Sequence, residues 1–367
     1  MTAAQAKALN YDASLLFPTL FLVGIGIVMV YSASSALAMK KFGTDTFFLR
    51  RQAIYSAVGI VTLVTCRHFP YQWYRHLTYP LLALAMTALM LIPFSELGYS
   101  AGGASRWIRF HGFTFQPVEL VRFAVIVYLA YSLSKKGAGV ERFAIGFLPH
   151  FIVFGAFAGL LMMQPDFGSV VILGALTWIL LYAGGVRFSH LTAVLLLMVP
   201  LVYLGMVSAE YRFKRIISFL SPWDYPADHG YQTIHSLMAF GTGGLWGTGI
   251  GKSYQKLFYL PEPHTDFIFS VIGEELGLFG VLVILVLYAV ILWRGMMIAR
   301  NATDDFGSLM ALGLTAALGL QVSVNTGVTL GLLPTKGLTL PFLSYGGTSL
   351  LFNMAAVGIL MNIGGEG

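Results

Sequence analysis

Long apolar runs broken by short polar stretches dominate the chain. Runs at about 14–37, 49–66, 77–94, 117–134, 144–163, 168–185, 189–207, 267–293, 306–330 and 347–363 approach the roughly 20 residues that a helix needs to cross a hydrocarbon core. The strict alternation of a membrane β-barrel is absent, and a helix satisfies its own backbone in lipid, so helices are the predicted spanning element. The pattern therefore predicts an all-α, polytopic membrane protein. It has about ten transmembrane helices in a single domain over 1–367, with both termini on the same side. Two polar stretches are long, at about 95–116 and, between helices 7 and 8, an extracytoplasmic loop at about 208–266 in which Tyr231 to Phe240 reads as a short surface helix. Loops of that length in a compact protein usually carry function.

Composition supports this picture: 57% of residues are hydrophobic and 10% charged, against roughly 25% charged in a soluble domain. The first apolar run is too long for a signal peptide and reads as a retained helix. The single cysteine, Cys66, excludes a disulfide within one chain and reads as packing. The net charge of +6 comes without a basic run or reading motif, so nucleic acid is not an expected partner. Membrane lipids and an anionic, phosphorylated lipid are better matches for scattered membrane-boundary cations.

The positive-inside rule leans weakly toward a cytoplasmic N-terminus. It sets Lys7, Arg67, Arg75, Lys135, Lys136, Arg142, Arg187, Arg294 and Arg300 on that side against Lys40, Lys41, Arg50, Arg51, Arg106, Arg109 and Lys336 on the other. The outer face thus keeps much positive charge. Arg106, Arg109, Arg212, Lys214, Arg215, Lys256 and Lys336 all fall there, and guanidinium groups bind phosphate bidentately.

The densest polar group is Pro261-Glu262-Pro263-His264-Thr265-Asp266, directly before an apolar helix. Asp266 can cap that helix or serve as a base whose pKa is tuned beside His264 and Glu262, and the two roles can coexist. Glu274 and Glu275 lie deeper in the same run. Eight residues put Glu274 about 12 Å from Asp266 along a helix, too far for a glycosidase-type carboxylate pair, so both read as structural anchors or substrate-path residues. Glu119 and Arg122, at i and i+3, form an expected ion pair near the outer end of the fourth span, with Arg122 close enough to reach a phosphate. No histidines share metal-ligand spacing, so no protein metal site is expected; Mg²⁺ or Mn²⁺ bridging substrate phosphates to a carboxylate is the one cofactor left open. Neither a Walker loop nor a Gly-x-Ser-x-Gly turn is present.

Pro261 to Phe269 with Gly273-Glu274-Glu275-Leu276-Gly277, Leu333 to Pro341, and Ser344-Tyr345-Gly346-Gly347 resemble the SEDS family of cell-wall proteins (FtsW, RodA and SpoVE). So do Met29 to Ser34, Gly103 to Ile108, Gln116 to Glu119, Gln164 to Gly168 and Gly230-Tyr231-Gln232, and the likeness spans nearly the whole chain. The wording at Ile272 to Glu275 and Thr335 to Thr339 is similar to the division branch rather than the elongation branch. Arg122 stands where the family often has Lys, which keeps a cation. The chain ends at Gly367 with almost no tail, so tail-mediated partner contacts are not expected.

The resemblance implies polymerisation of lipid II into glycan strands at the outer face of the cytoplasmic membrane, enrichment at the septum, and Asp266 as the essential carboxylate. It adds Gln232 and Ser344 to Arg106, Arg109, Glu119, Arg122, Arg212, Arg215, Lys256, His264 and Lys336 as substrate-binding candidates. Implied partners are lipid II, the growing glycan strand, a cognate class B penicillin-binding transpeptidase and other division proteins. The competing readings are a lipid II flippase and a non-catalytic division scaffold.

Overall fold

The computed structural model describes residues 11–95, 98–101, 104–110, 113–207, 214, 217–227, 230–257 and 259–366. Its helices are α1 (Ala13–Phe42), α2 (Phe47–His68), α3 (Tyr74–Phe94), α4 (Pro117–Lys136), α5 (Leu148–Met163), α6 (Phe167–Ala183), α7 (Phe188–Val207), α8 (Tyr231–Gly243), α9 (Ile268–Asn301), α10 (Asp305–Thr329) and α11 (Gly347–Glu366). Among the described residues, eight stretches are long and apolar enough to cross a membrane by length and composition; the apolar parts of α6 and α7, at two further predicted places, are shorter. The predicted count of about ten is therefore not established by length alone.

Helix ends follow local chemistry. Asp12 caps α1 by accepting from Ser14 N at 3.0 Å, and Gly43, at φ 71°, closes it with its N–H on Met39 O. Which helices lie inside is a matter of packing. In their most apolar stretches α4 is 78% and α11 72% buried, against 22% for α2 and 28% for α3 and α9. Polar side chains such as Glu119 and Arg122 of α4 and Asn353 and Asn362 of α11 thus face protein, and the outer helices turn apolar faces to lipid.

Two features depart from the sequence expectation. The stretch predicted as a loop at 95–116 contains a three-stranded antiparallel sheet, β1 (Gly98–Ala101), β2 (Ala104–Phe110) and β3 (Phe113–Phe115), in the order β1-β2-β3. Ile108 pairs with both Gly98 and Phe115, which fixes the register. Second, α9 is broken at Gly277 (φ 65°, ψ −168°). A continuous helix would bond Leu278 N to Glu274 O and Phe279 N to Glu275 O. Instead Leu278 N donates to Gly244 O (2.9 Å) and Phe279 N to Leu245 O (3.2 Å), while Thr248 N and Gly249 N donate to the Glu274 and Glu275 carbonyls at 2.9 and 3.0 Å. The segment after α8 replaces these two lost helical bonds one for one, which satisfies the four backbone groups that the break would otherwise leave without partners. The contact is backbone to backbone: a Cβ on Gly277 would lie 2.3 Å from Gly247 N.

Candidate functional site

The site forms where the loop before α9 meets the loop between α10 and α11. Asp266 does not cap α9, contrary to one of its two sequence readings: the helix starts at Ile268, Phe267 occupies the cap position, and no side chain caps it. One residue of offset leaves the carboxylate outside the first turn and available for other work. Its backbone is held firmly. Asn325 on α10 donates from Nδ2 to Asp266 O (2.9 Å) and to Leu338 O (2.5 Å), joining the two loops. Ser344 donates from Oγ to Thr265 O at 2.6 Å and accepts from Leu340 N at 2.7 Å, and Tyr345 N donates to His264 O at 2.9 Å. Glu262 (φ 50°) and Phe342 (φ 66°) both sit in the left-handed region, and such strain in non-glycine residues tends to gather at functional sites.

The Asp266 side chain is half-buried and packs against the Gly337 backbone, where a Cβ would come within 2.8 Å of Oδ2. Burial pushes its pKa up to about 7, the nearby Glu262 carboxylate adds to the rise, and Arg106 opposes it. The group is thereby suited to accept a proton near neutrality.

Arg106 acts on Asp266 and links it to a group of cations with unused donors. Lys336 runs across Gly168, where a Cβ would meet its Cε at 2.3 Å, and its buried Nζ has no hydrogen-bond partner. Burial lowers its pKa to about 7; Asp166 and Glu119 hold it up, and Arg122 and Arg106 push it down. Arg106, on β2, reaches Asp166 at 3.5 Å from Nε, and Asp166 in turn caps α6 through Ser169 N (3.2 Å). Arg122 pairs with Glu119 at 3.0 Å, both buried, while its Nε and Nη2 are unpartnered. Buried, unsatisfied cationic donors are costly unless something anionic occupies them. Glu119, Arg122, Gln321 and Asn353 line a cavity of about 30 Å³ on the inner side of this cluster, room for about one water.

Other sequence candidates do not join the cluster. Arg109 is exposed and, three residues from Arg106 on a strand, projects from the opposite face of the ribbon. Lys256 is not on the outer surface: it is buried, its Nζ on Glu275 at 2.7 Å and Ser32 Oγ at 3.0 Å. Glu275 also accepts from Ser32 Oγ, and Glu274 accepts from Tyr254 N (2.9 Å), Gln255 N (3.3 Å) and Ser253 Oγ. These carboxylates grip the 253–256 segment. Gln232 lies half-buried in the first turn of α8, and Lys214 is exposed. Arg212 and Arg215 lie outside the described residues. His264 is buried 4.5 Å, centroid to centroid, from Phe48, with its Nδ1 unpartnered; burial and Lys41 lower its pKa to about 4, so the ring is neutral. Among the described residues no three His, Cys, Asp or Glu side chains converge on a metal-binding geometry.

Sequence reasoning passed over Asn325, whose amide gives no local signal, and Asp166, which stood only within a quoted motif.

A family model described as cell cycle protein, for FtsW, RodA and SpoVE, matches residues 13–366. A probable peptidoglycan glycosyltransferase FtsW of Geobacter metallireducens is 44% identical over 96% of this chain and 94% of its own length. The stage V sporulation protein E of Bacillus subtilis is 41% identical over 97% of this chain and 98% of its own. Among solved structures, a chain of a peptidoglycan synthase complex studied for the coordination of polymerization and crosslinking superposes with a TM-score of 0.80 at 29% identity, covering 97% of this chain and 98% of that one. The crystal structure of the rod shape determining protein RodA of Thermus thermophilus gives 0.70 at 26% identity, covering 97% of both chains.

Proposed function

The chain belongs to the FtsW, RodA and SpoVE family, and from that membership we propose that it is a peptidoglycan glycosyltransferase that polymerises lipid II with Asp266 as general base. The observation that carries this reading is a carboxylate tuned to about 7, unused as a helix cap, under the charge of Arg106, which also acts on the partnerless Lys336 Nζ.

In the proposed step, Asp266 takes the proton from the 4-hydroxyl of the acceptor sugar as that oxygen bonds to the anomeric carbon of the growing strand. The bond from that carbon to the polyprenyl diphosphate breaks, and the diphosphate leaves with the electron pair. Attack opposite the leaving group inverts the anomeric centre. Arg106, Arg122 and Lys336 face the negative charge that develops on the diphosphate, which is the largest electrostatic demand of the transition state. Holding both reactants at one membrane surface supplies the proximity. In this reading a divalent cation would arrive with the diphosphate and bridge it to a carboxylate.

Transport of lipid II is less well supported. Glu119 and Arg122 line a cavity of only about 30 Å³, and Glu274 and Glu275 are consumed by contacts within the protein. Motif wording and the FtsW relatives support division over elongation, and in this reading the protein works at the septum of the inner membrane with both termini cytoplasmic. Its partner in this reading is a class B penicillin-binding transpeptidase.

Purified protein with that transpeptidase and lipid II is expected to give glycan strands on a gel, and Asp266→Asn none. Equal product from both would remove Asp266 from the mechanism; scrambling of lipid II in vesicles without polymer would return the transport reading.

A further inference from the structure

The loop that carries Asp266 is held by its carbonyls. Tyr345 N donates to His264 O at 2.9 Å, Ser344 Oγ to Thr265 O at 2.6 Å and Asn325 Nδ2 to Asp266 O at 2.9 Å, so three successive peptides are pinned. The third bond differs from the other two. Its donor stands on a helix, α10, and the same Nδ2 also donates to Leu338 O, two residues beyond Lys336. One amide thus fixes the backbone of the base-bearing loop against the backbone of the loop that bears the cation, where Gly337 already packs on Oδ2 of Asp266.

Asn325 belongs to a stripe along α10. Gln321, one turn earlier, donates from Nε2 to Thr339 O (3.0 Å) and to Ser349 Oγ on α11 (2.9 Å). Thr329, one turn later, accepts at its carbonyl from Ser236 on α8, whose hydroxyl also meets that of Ser270 on α9. A spacing of four puts the three on one helix face. The stretch 334–340 forms neither helix nor strand, so its carbonyls depend on donors from outside it. Asn325 is 1% exposed, and its Oδ1 has no partner. An orphaned buried acceptor weakens a fold, and a leucine of similar volume would carry none, so packing does not account for an amide here. The two carbonyls do: each requires a donor, and turning the amide over would set oxygen against oxygen.

We infer that Asn325 is a positioning residue, which keeps Asp266 in register with the Lys336 loop and, being buried, acts through the two loops and not on substrate. The inference rests on the glycosyltransferase reading. As the acceptor proton moves to Asp266 and the diphosphate departs, the charges around both loops change, and any ionic attraction between them changes too. Hydrogen bonds from a neutral amide to neutral carbonyls keep their strength through those steps. The spacing of base and cation therefore stays the same before and after proton transfer.

Steady-state polymerisation of lipid II by the purified protein with its transpeptidase tests this in Asn325→Leu, which removes the donor at nearly constant volume. Its kcat is expected to fall about a hundredfold, the cost of displacing a reacting group by about 1 Å, with an unchanged KM for lipid II. Ser236→Ala breaks buried hydrogen bonds on the same stripe that touch neither loop, and is expected to lower the melting temperature with kcat as in the wild type. Equal falls of kcat in the two variants at equal loss of melting temperature would reduce Asn325 to packing and overturn the inference, as would a raised KM with kcat intact. Amide exchange followed by mass spectrometry needs no activity. Asn325→Leu is expected to speed exchange in 262–266 and 336–340 together, and unchanged protection in either loop overturns the inference. The glycosyltransferase reading fails separately, by a wild type that makes no polymer although both loops loosen together in Asn325→Leu.

Discussion

A carboxylate with a pKa of about 7 is half ionised at neutral pH, and so is an amine at the same value; Asp266 and Lys336 are both in that position. The base must be ionised and the cation protonated, so polymerisation should follow a narrow bell in pH centred near 7, and Asp266→Glu should displace its acid limb. Diphosphate binding should return a proton to Lys336. Calorimetry at pH 7.5 in buffers of different ionisation enthalpy is expected to show proton uptake, abolished in Lys336→Met. Stability carries the opposite sign for Asp266. Its folded pKa lies above the unfolded value, so the neutral form favours folding, and that contribution is lost as pH rises through about 7. Asp266→Asn should therefore melt above the wild type in detergent, by a gap that opens between pH 4 and 7 and then stays constant. A gap that closes toward pH 8 would contradict the assigned burial.

At the scale of elements, two glycines make contrasting predictions. The atoms nearest a methyl at Gly168 belong to the flexible end of Lys336, so Gly168→Ala should keep the fold and its melting temperature while weakening diphosphate binding. A methyl at Gly277 meets backbone at 2.3 Å and requires a positive φ. Gly277→Ala should lower the melting temperature and loosen the exchange of hydrogen bonds with 244–249, read as faster amide exchange in that segment. Helix positions were legible because apolar runs of membrane length admit one backbone solution. The β1–β3 ribbon was not: three short strands flanked by glycines carry little periodicity, and Arg106 and Arg109 look equivalent until the strand sends them to opposite faces.

Across the whole molecule, the buried Lys256–Glu275 pair ties the segment after α8 to α1 through Ser32 and to α9. Removing one partner leaves an unpaired buried charge. Lys256→Met should destabilise by about 3–5 kcal/mol, and the double variant Lys256→Met with Glu275→Leu should recover much of that loss in thermal melts. The same tie makes sidedness testable. A cysteine at exposed position 252, in a Cys66→Ser background, is expected to react with a membrane-impermeant maleimide from outside the cell. Protection there, with labelling only in inverted vesicles, would move the site to the cytoplasmic face.

Hydropathy alone determined that this is a helical membrane protein and where most of its helices run, because lipid leaves the backbone no other way to satisfy itself. Motif resemblance, a property of sequence too, marked Asp266, Lys336 and the Glu119–Arg122 pair. Tertiary structure decided which of the outer cations act together. Lys256 and Arg106 read alike in a charge count, yet one is spent on a buried glutamate and the other is placed beside Asp266 by a ribbon that the sequence hid. Burial and unmet hydrogen bonds are relations between distant segments, and they exist only once the chain has folded.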